Sequence, residues 1–361
     1  MSRYYSIPEA LLTRTDFHRD NHYVPREYLK TWESSPGRVW TYRILVSHEK
    51  VPLWNEKSIR GIAYHSHLYT RLAVGRETDE IERWFEREYE TPAESVLKKV
   101  ISNDRFTSSD WRILVRFLSA QHVRTPARLV ESLQRWYKTF PDFFQNTLQK
   151  AVQKLESMKA RGEEIISAPS PLTEYFPIRI KTEILPGQEF GTIKAEAIVG
   201  RGLWLFAIKH LLTNTAEVLQ KHRWTIMSPP RGVEWFTSDD PVICLNYHNP
   251  NKYDFGGGWG SKGTEIFMPL SPKHLLYTQI GTRPPRRGTQ FSPEQAEIIR
   301  RCIAEHAHRM IFAADPDSQV QNLRPRKVSI ELLRDENAQW STWHDDQTTA
   351  ERNMMGWLEN K

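Results

Sequence analysis

Six residues spread along the chain carry side chains suited to moving protons or holding an anion: His22, Glu90, Gln121, Arg124, Ser238 and Asp239. A histidine, two carboxylates, an amide and a guanidinium gathered in one cleft suit hydrolytic chemistry on a phosphodiester or similar anion. In that arrangement Asp239 and Glu90 hold Mg²⁺ or Mn²⁺, His22 activates or protonates, and Arg124 offsets charge developing at phosphate oxygens. The expectation is a hydrolase, in its sharpest form a metal-assisted nuclease. Two other readings stay open: a non-catalytic binding protein whose polar residues form a buried network, and an enzyme on a small nucleotide-like ligand whose base stacks on Trp or Tyr. Exposure separates them, because a site keeps polar groups facing water whereas a network is dry and mutually satisfied.

The elements that must position these residues are legible in part. Ser238 and Asp239 sit in Trp235-Phe236-Thr237-Ser238-Asp239-Asp240-Pro241-Val242-Ile243-Cys244-Leu245, two apolar strand-like runs with polar residues at the break. Pro241 has no N–H and pushes Asp240 toward extended angles, so the strand ladder is interrupted there, as it would also be at an ordinary turn. Glu82, Glu86 and Glu90 are four apart on a helix whose Ile81, Trp84, Phe85 and Tyr89 face elsewhere. Carboxylates so spaced can hold a metal or poise a base, or form a solvated stripe beside Arg83 and Arg87. Thr91-Pro92-Ala93-Glu94 then caps a second helix to about Val100, with a kink near Pro92. Thr107 to Asp110 caps the next, on which Leu114, Phe117, Leu118 and Gln121 share a face. Arg124 lies one turn beyond Gln121, so its guanidinium needs a carboxylate or a wet cavity, with Glu90, Asp239 and Asp240 as candidates.

Further along, a helix interrupted near Phe140-Pro141 runs to about Arg161, a Pro-rich connection covers 168–187, and an apolar helical region spans about 190–220, broken at Gly200-Arg201-Gly202. The pattern then turns to strands at Trp224–Met227, the Trp235–Leu245 stretch, Glu265–Leu270 and Leu275–Thr278, whose short connections favour an antiparallel meander. Ser292-Pro293-Glu294-Gln295 caps a last clear helix. The Gly256–Gly263 run reads as an inter-strand loop, because Lys262 lacks the flanking residues of a phosphate loop. His65-Ser66-His67 and His306-Ala307-His308 lack the companion ligands a zinc site requires. These elements predict an α+β fold, a mainly helical N-terminal two-thirds packed on a C-terminal antiparallel sheet. The expected layout is an arm over 1–20, one domain over 21–335 with its helical layer at about 78–220 and its sheet-rich part at about 222–335, and a polar tail over 336–361.

Composition bounds the partners. The 361 residues carry a net charge of +6, with basic clusters at 283–287, 300–301 and 324–327, which favours encounter with nucleic acid without requiring it. No apolar stretch suits a membrane span or a signal peptide, and the two cysteines, Cys244 and Cys302, lie in apolar runs and read as free thiols, so the expected location is cytoplasmic.

Several motifs together resemble a bacterial family, domain of unknown function 4238. They are Asn21-His22-Tyr23-Val24-Pro25 with Tyr28-Leu29, the helix from Ile81-Glu82 to Glu90, Gln121-His122-Val123-Arg124-Thr125-Pro126, Phe236 to Val242, and Pro269-Leu270-Ser271-Pro272. The likeness covers roughly residues 20–315. Family members usually show Ser-Asp-Asn-Pro where this chain has Ser238-Asp239-Asp240-Pro241. The resemblance implies no activity, but it places these polar residues in one shared framework.

Overall fold

The computed structural model describes residues 17–73, 75–163, 178–184, 187 and 191–359. Most of the expected N-terminal arm and most of the Pro-rich connection lie outside them.

The chain opens with β1 (Asp20–His22), α1 (Arg26–Lys30), β2 (Arg38–Arg43), β3 (Leu45–Val46), β4 (Trp54–Ser58), β5 (Tyr64–Ser66), β6 (Arg71–Ala73) and β7 (Arg76–Thr78). Helices follow: α2 (Glu80–Phe85), a π turn (Glu86–Glu90), α3 (Thr91–Ile101), α4 (Ser108–Val123) and α5 (Pro126–Ala160). After the hairpin β8 (Ile178–Ile184) and β9 (Gly191–Ala197) come α6 (Arg201–His210), a second π turn (Leu211–Thr215) and α7 (Glu217–Gln220). The remainder is β10 (Thr225–Met227), β11 (Thr237–Ser238), β12 (Ile243–Asn249), β13 (Lys252–Asp254), β14 (Glu265–Ser271), β15 (His274–Gln279), α8 (Pro293–His306), β16 (Met310–Ala313), α9 (Val320–Leu323), β17 (Lys327–Val328) and α10 (Ile330–Glu359).

This corrects the expected layout. Strands lie in both the N- and C-terminal regions with helices between them, rather than a helical front on a C-terminal sheet. The reason is long-range pairing: β16 sits between β11 and β2, and β4 completes that sheet, in the order β11-β16-β2-β4. The expected meander is present only in part: β12, β14 and β15 are antiparallel neighbours, but β10 pairs with β15 at the far side rather than with β12, giving the second sheet the order β10-β15-β14-β12-β13. Trp235–Leu245 bridges the two, with Thr237–Ser238 in the first sheet and Ile243–Leu245 in the second. Pro241 therefore marks a crossing between sheets, where a missing ladder donor does no harm. Tyr28 on α1 ties both, its hydroxyl donating to the Pro269 carbonyl at 2.5 Å and lying 2.6 Å from Thr237 Oγ1.

Local chemistry explains the helices. Thr107 and Asp110 form a capping box on α4, Ser292 and Gln295 one on α8, and Thr125 caps α5 ahead of Pro126. The kink expected near Pro92 takes the form of the π turn: Pro92 cannot donate to the Glu88 carbonyl, and Thr91 N–H reaches back to Glu86 instead. Pro141, expected to interrupt a helix, lies inside the continuous α5. Residues 191–197, read as helical, alternate as a strand, the two alanines among them having masked the two-residue period. The last residues, read as a loosely specified tail, form α10, which packs Trp340 on His65 with ring centroids 3.9 Å apart.

The glycine run also has a packing reason. A Cβ on Gly257 would lie 2.9 Å from the Cys244 carbonyl carbon and oxygen and 2.6 Å from the Thr264 methyl. Because backbone cannot yield as a side-chain tip can, Gly257→Ala should lower unfolding free energy by about 1–3 kcal/mol. A urea titration checks this.

Candidate functional site

The cleft that gathers most of the chemistry is about 810 Å³ and lies between the N-terminal segment and the α2–α3 helix. The N-terminal segment and its neighbours bring His22, Arg26, Lys30, Arg38 and Arg60 together with Glu27 and Glu33, and the helix opposite brings Glu82, Glu86, Glu90 and Glu94. Arg26 and Arg60 have no salt bridge or hydrogen bond to another side chain among the described residues.

Arg124 lies behind Glu90 and His22, outside the cavity lining. It is wholly buried, donates through Nη1 to Glu90 Oε1 at 2.6 Å, and stacks 4.9 Å from the Phe85 ring. Its Nε and Nη2 donate to the carbonyls of Tyr23 and His22, both at 3.1 Å. The requirement for a carboxylate is thus met by Glu90, and the same guanidinium fixes the backbone that carries the His22 ring.

Two groups in this cleft are left without protein hydrogen bonds: His22 Nε2 and Glu82 Oε2, both buried atoms. Burial pushes the Glu82 carboxyl up to about 8, with the Glu90 charge adding to the rise and Arg124 opposing it. Burial and the neighbouring Arg26 hold His22 below the ordinary histidine range. Near neutral pH the cleft therefore presents an acid that keeps its proton beside an imidazole that lacks its second one. Glu82 was visible in the sequence only as part of a carboxylate stripe of the kind that more often faces solvent. In the fold Glu86 is exposed while Glu82, on α2, and Glu90, at the end of the π turn, are half-buried.

The other three residues singled out by type fall elsewhere. Asp239 is dry, and its carboxylate accepts three backbone N–H bonds, from His308, Arg309 and Met310 at 2.9, 2.8 and 3.1 Å. It borders a separate cleft of about 560 Å³ with His65, His308 and Trp340, so Asp239 and Glu90 do not face the same cavity. Burial pushes its carboxyl up to about 7 against the pull of those amides. Ser238 is buried and accepts from Asp240 N–H at 3.2 Å, and Gln121 is buried with neither amide atom hydrogen-bonded to protein. Asp240, where the family usually has Asn, is answered by Thr125 Oγ1 at 3.0 Å and by Arg128 and His306 at 3.4 and 3.6 Å. The extra charge has been absorbed locally. Asp239→Ala would orphan three amides that tie β11 to the approach of β16, and should cost about 2–3 kcal/mol of stability in thermal or urea unfolding.

His122 and Cys244 are not a nucleophilic pair. Trp259 Nε1 donates to His122 Nδ1 at 2.9 Å, the thiol lies 3.7 Å from Nε2, and burial pushes Cys244 up to about 12, which keeps it protonated. The basic clusters also serve the framework: Arg287 lies over Phe106, Arg300 pairs with Asp317, and Arg326 donates to the Val51 carbonyl. None of the three clusters lines the His22–Glu82 cleft.

Together the sheets, the helical middle and this two-signed cleft define a mixed helix and mainly antiparallel-sheet protein with a concave polar site. Residues 20–317 match the family described as protein of unknown function (DUF4238), and the chain belongs to it. No curated protein and no solved structure matches it. No described helix is long and apolar enough to cross a membrane.

Proposed function

We propose that the protein is an acid–base hydrolase of a small anionic ester, phosphodiesters foremost, acting in the His22–Glu82 cleft. The observation that carries this is the pair of buried, partnerless atoms, His22 Nε2 and Glu82 Oε2, on the wall of one open cavity. Buried polar atoms are ordinarily paired, so two left free beside a cleft favour contact with a ligand. In the reaction His22 takes a proton from the attacking water, and Glu82 gives its proton to the departing oxygen. Arg26 and Arg60 receive the anionic group, and Arg124 positions the His22 backbone without touching substrate. Mg²⁺ or Mn²⁺ would enter through Glu90 together with oxygens of the ligand itself, which keeps the metal-assisted form within the proposal.

The cleft favours a small ligand over nucleic acid, because the basic clusters that would track a strand lie away from it. A specific observation favours a second reading: Asp239 and Arg124 are dry and satisfied, as members of a scaffold would be, so a binding protein with a structural polar network is the alternative. Purified protein should be assayed on aryl phosphodiesters, cyclic and linear nucleotides, and single-stranded DNA and RNA, each with chelator, Mg²⁺ or Mn²⁺. Turnover of a small diester by the wild type, lost in a folded Glu82→Gln variant, supports the hydrolase. Turnover of none of them moves the assignment to the binding protein.

A further inference from the structure

A second cluster lies outside that cleft and outside the six residues selected by type. We propose that His67, Glu77 and His344 bind a divalent cation of the zinc class, which fastens α10 to the N-terminal part of the chain. One ligand atom from each residue lies within 4.8 Å of the other two, and this is the one such trio of His, Cys, Asp or Glu among the described residues. Two imidazoles and a carboxylate form the donor set that zinc and neighbouring borderline metals prefer, with a fourth position for water.

The three come from separate elements. Glu77 is on the β6–β7 hairpin, His67 on the turn before it, and His344 on α10, so a short-range search for zinc spacing around His65-Ser66-His67 does not find the companions. The imidazoles of His67 and His344 stack with centroids 3.7 Å apart and planes 16° apart, so one ring must tilt out of the stack for both ring-nitrogen lone pairs to meet one cation. His344 Nε2 lies 3.0 Å from Glu77 Oε1. The opposite edges are held as ligating histidines usually are: His67 Nδ1 is 3.1 Å from Thr70 Oγ1, and His344 Nδ1 is 2.9 Å from Arg201 Nη1.

The protons balance without an outside reagent. Arg201 can only donate, so His344 in the metal-free protein accepts at Nδ1 and carries its proton on Nε2, toward Glu77. On metal binding the Nε2 lone pair goes to the cation and the ring proton moves to Nδ1. Arg201 Nη1 then withdraws, while its Nε and Nη2 keep their bonds to Glu351 at 3.2 and 2.9 Å and Nη2 its contact with Thr348. Glu77 offsets part of the added positive charge, while Glu351 stays paired with Arg201. Since α10 begins beyond the family match, the metal would join a segment outside the shared framework to one inside it.

The test uses the full chain, stripped with chelator and titrated calorimetrically with Zn²⁺, with a thermal melt of each form. The expected result is one equivalent bound and a raised melting temperature. Glu77→Gln preserves the hydrogen-bonding shape around His344 and His67→Gln leaves Arg201 untouched, so both should fold as the metal-free protein does and bind at least about tenfold more weakly. Cobalt in place of zinc should give the intense visible bands of a four-coordinate site in wild type alone. Absence of binding, or binding unchanged in both variants, overturns the proposal. Ester hydrolysis is not the readout, so this result is independent of the His22–Glu82 cleft.

Discussion

Glu82→Gln is expected to abolish most turnover, by about 10²–10⁴-fold, and at the same time to make the protein more stable at pH 8. The two effects share one cause. In the wild type the Glu82 carboxyl is pushed up to about 8 from an ordinary value of 4.5. A group whose folded pKa is raised contributes its stability fully below the unfolded pKa and loses it as pH rises through the folded one, here over roughly pH 4.5 to 8. Glutamine has the shape of the protonated acid and no charge to bury, so the variant avoids that loss, worth about 1–3 kcal/mol at pH 8 after allowance for partial exposure. It has no proton to give, however, so departure of the leaving oxygen goes unassisted. Urea unfolding at pH 5 and pH 8 beside kcat/KM over the same range checks both halves. Wild-type activity should fall on the alkaline side near pH 8, and the stability difference between the two proteins should grow with pH. A variant that is inactive and also less stable at both values would instead make Glu82 a packing residue.

The sequence exposed the ingredients of this cleft more readily than their arrangement. Arg124 was legible as an inward cation in need of a carboxylate because helical spacing puts it one turn beyond Gln121, and Glu90 was among its three candidates. The burial of Glu82 was not, because an i, i+4 row of carboxylates does not say which member the distant N-terminal segment covers. Short connections between apolar runs revealed the β12-β14-β15 pairing, but not that β10 would close the sheet beside β15. The partnership of β16 with β2 left no local trace, since the two strands are joined only by the closing of the whole chain. For the same reason Asp239 looked like a site residue: the hydrogen bonds that claim its carboxylate come from His308, Arg309 and Met310, and nothing near residue 239 announces them.

Arg124→Met is expected to lose about 3–5 kcal/mol of unfolding free energy, and Glu90→Gln a comparable amount for a different reason. Methionine fills much of the space against Phe85 but leaves the His22 and Tyr23 carbonyls without donors, while the freed Glu90, 22% exposed, can still turn toward water. Glu90→Gln keeps those two bonds and strands a guanidinium with no exposure and no counter-ion. The charge that remains is the worse of the two to leave, since a wholly buried ion cannot recover its hydration. Combining the substitutions removes both charges together, so the double variant should be more stable than the sum of the single losses predicts, by about 1–3 kcal/mol in a double-mutant cycle. Arg124→Lys separates charge from geometry: a single ammonium cannot serve Glu90 and both carbonyls at once, so the fold should hold better than in Arg124→Met while the His22 backbone loosens. If Arg124 positions the catalytic imidazole, Arg124→Lys lowers kcat with KM little changed, and the alkaline limb near pH 8 set by Glu82 stays where it was. A fall in stability with no change in kcat would confine Arg124 to the scaffold.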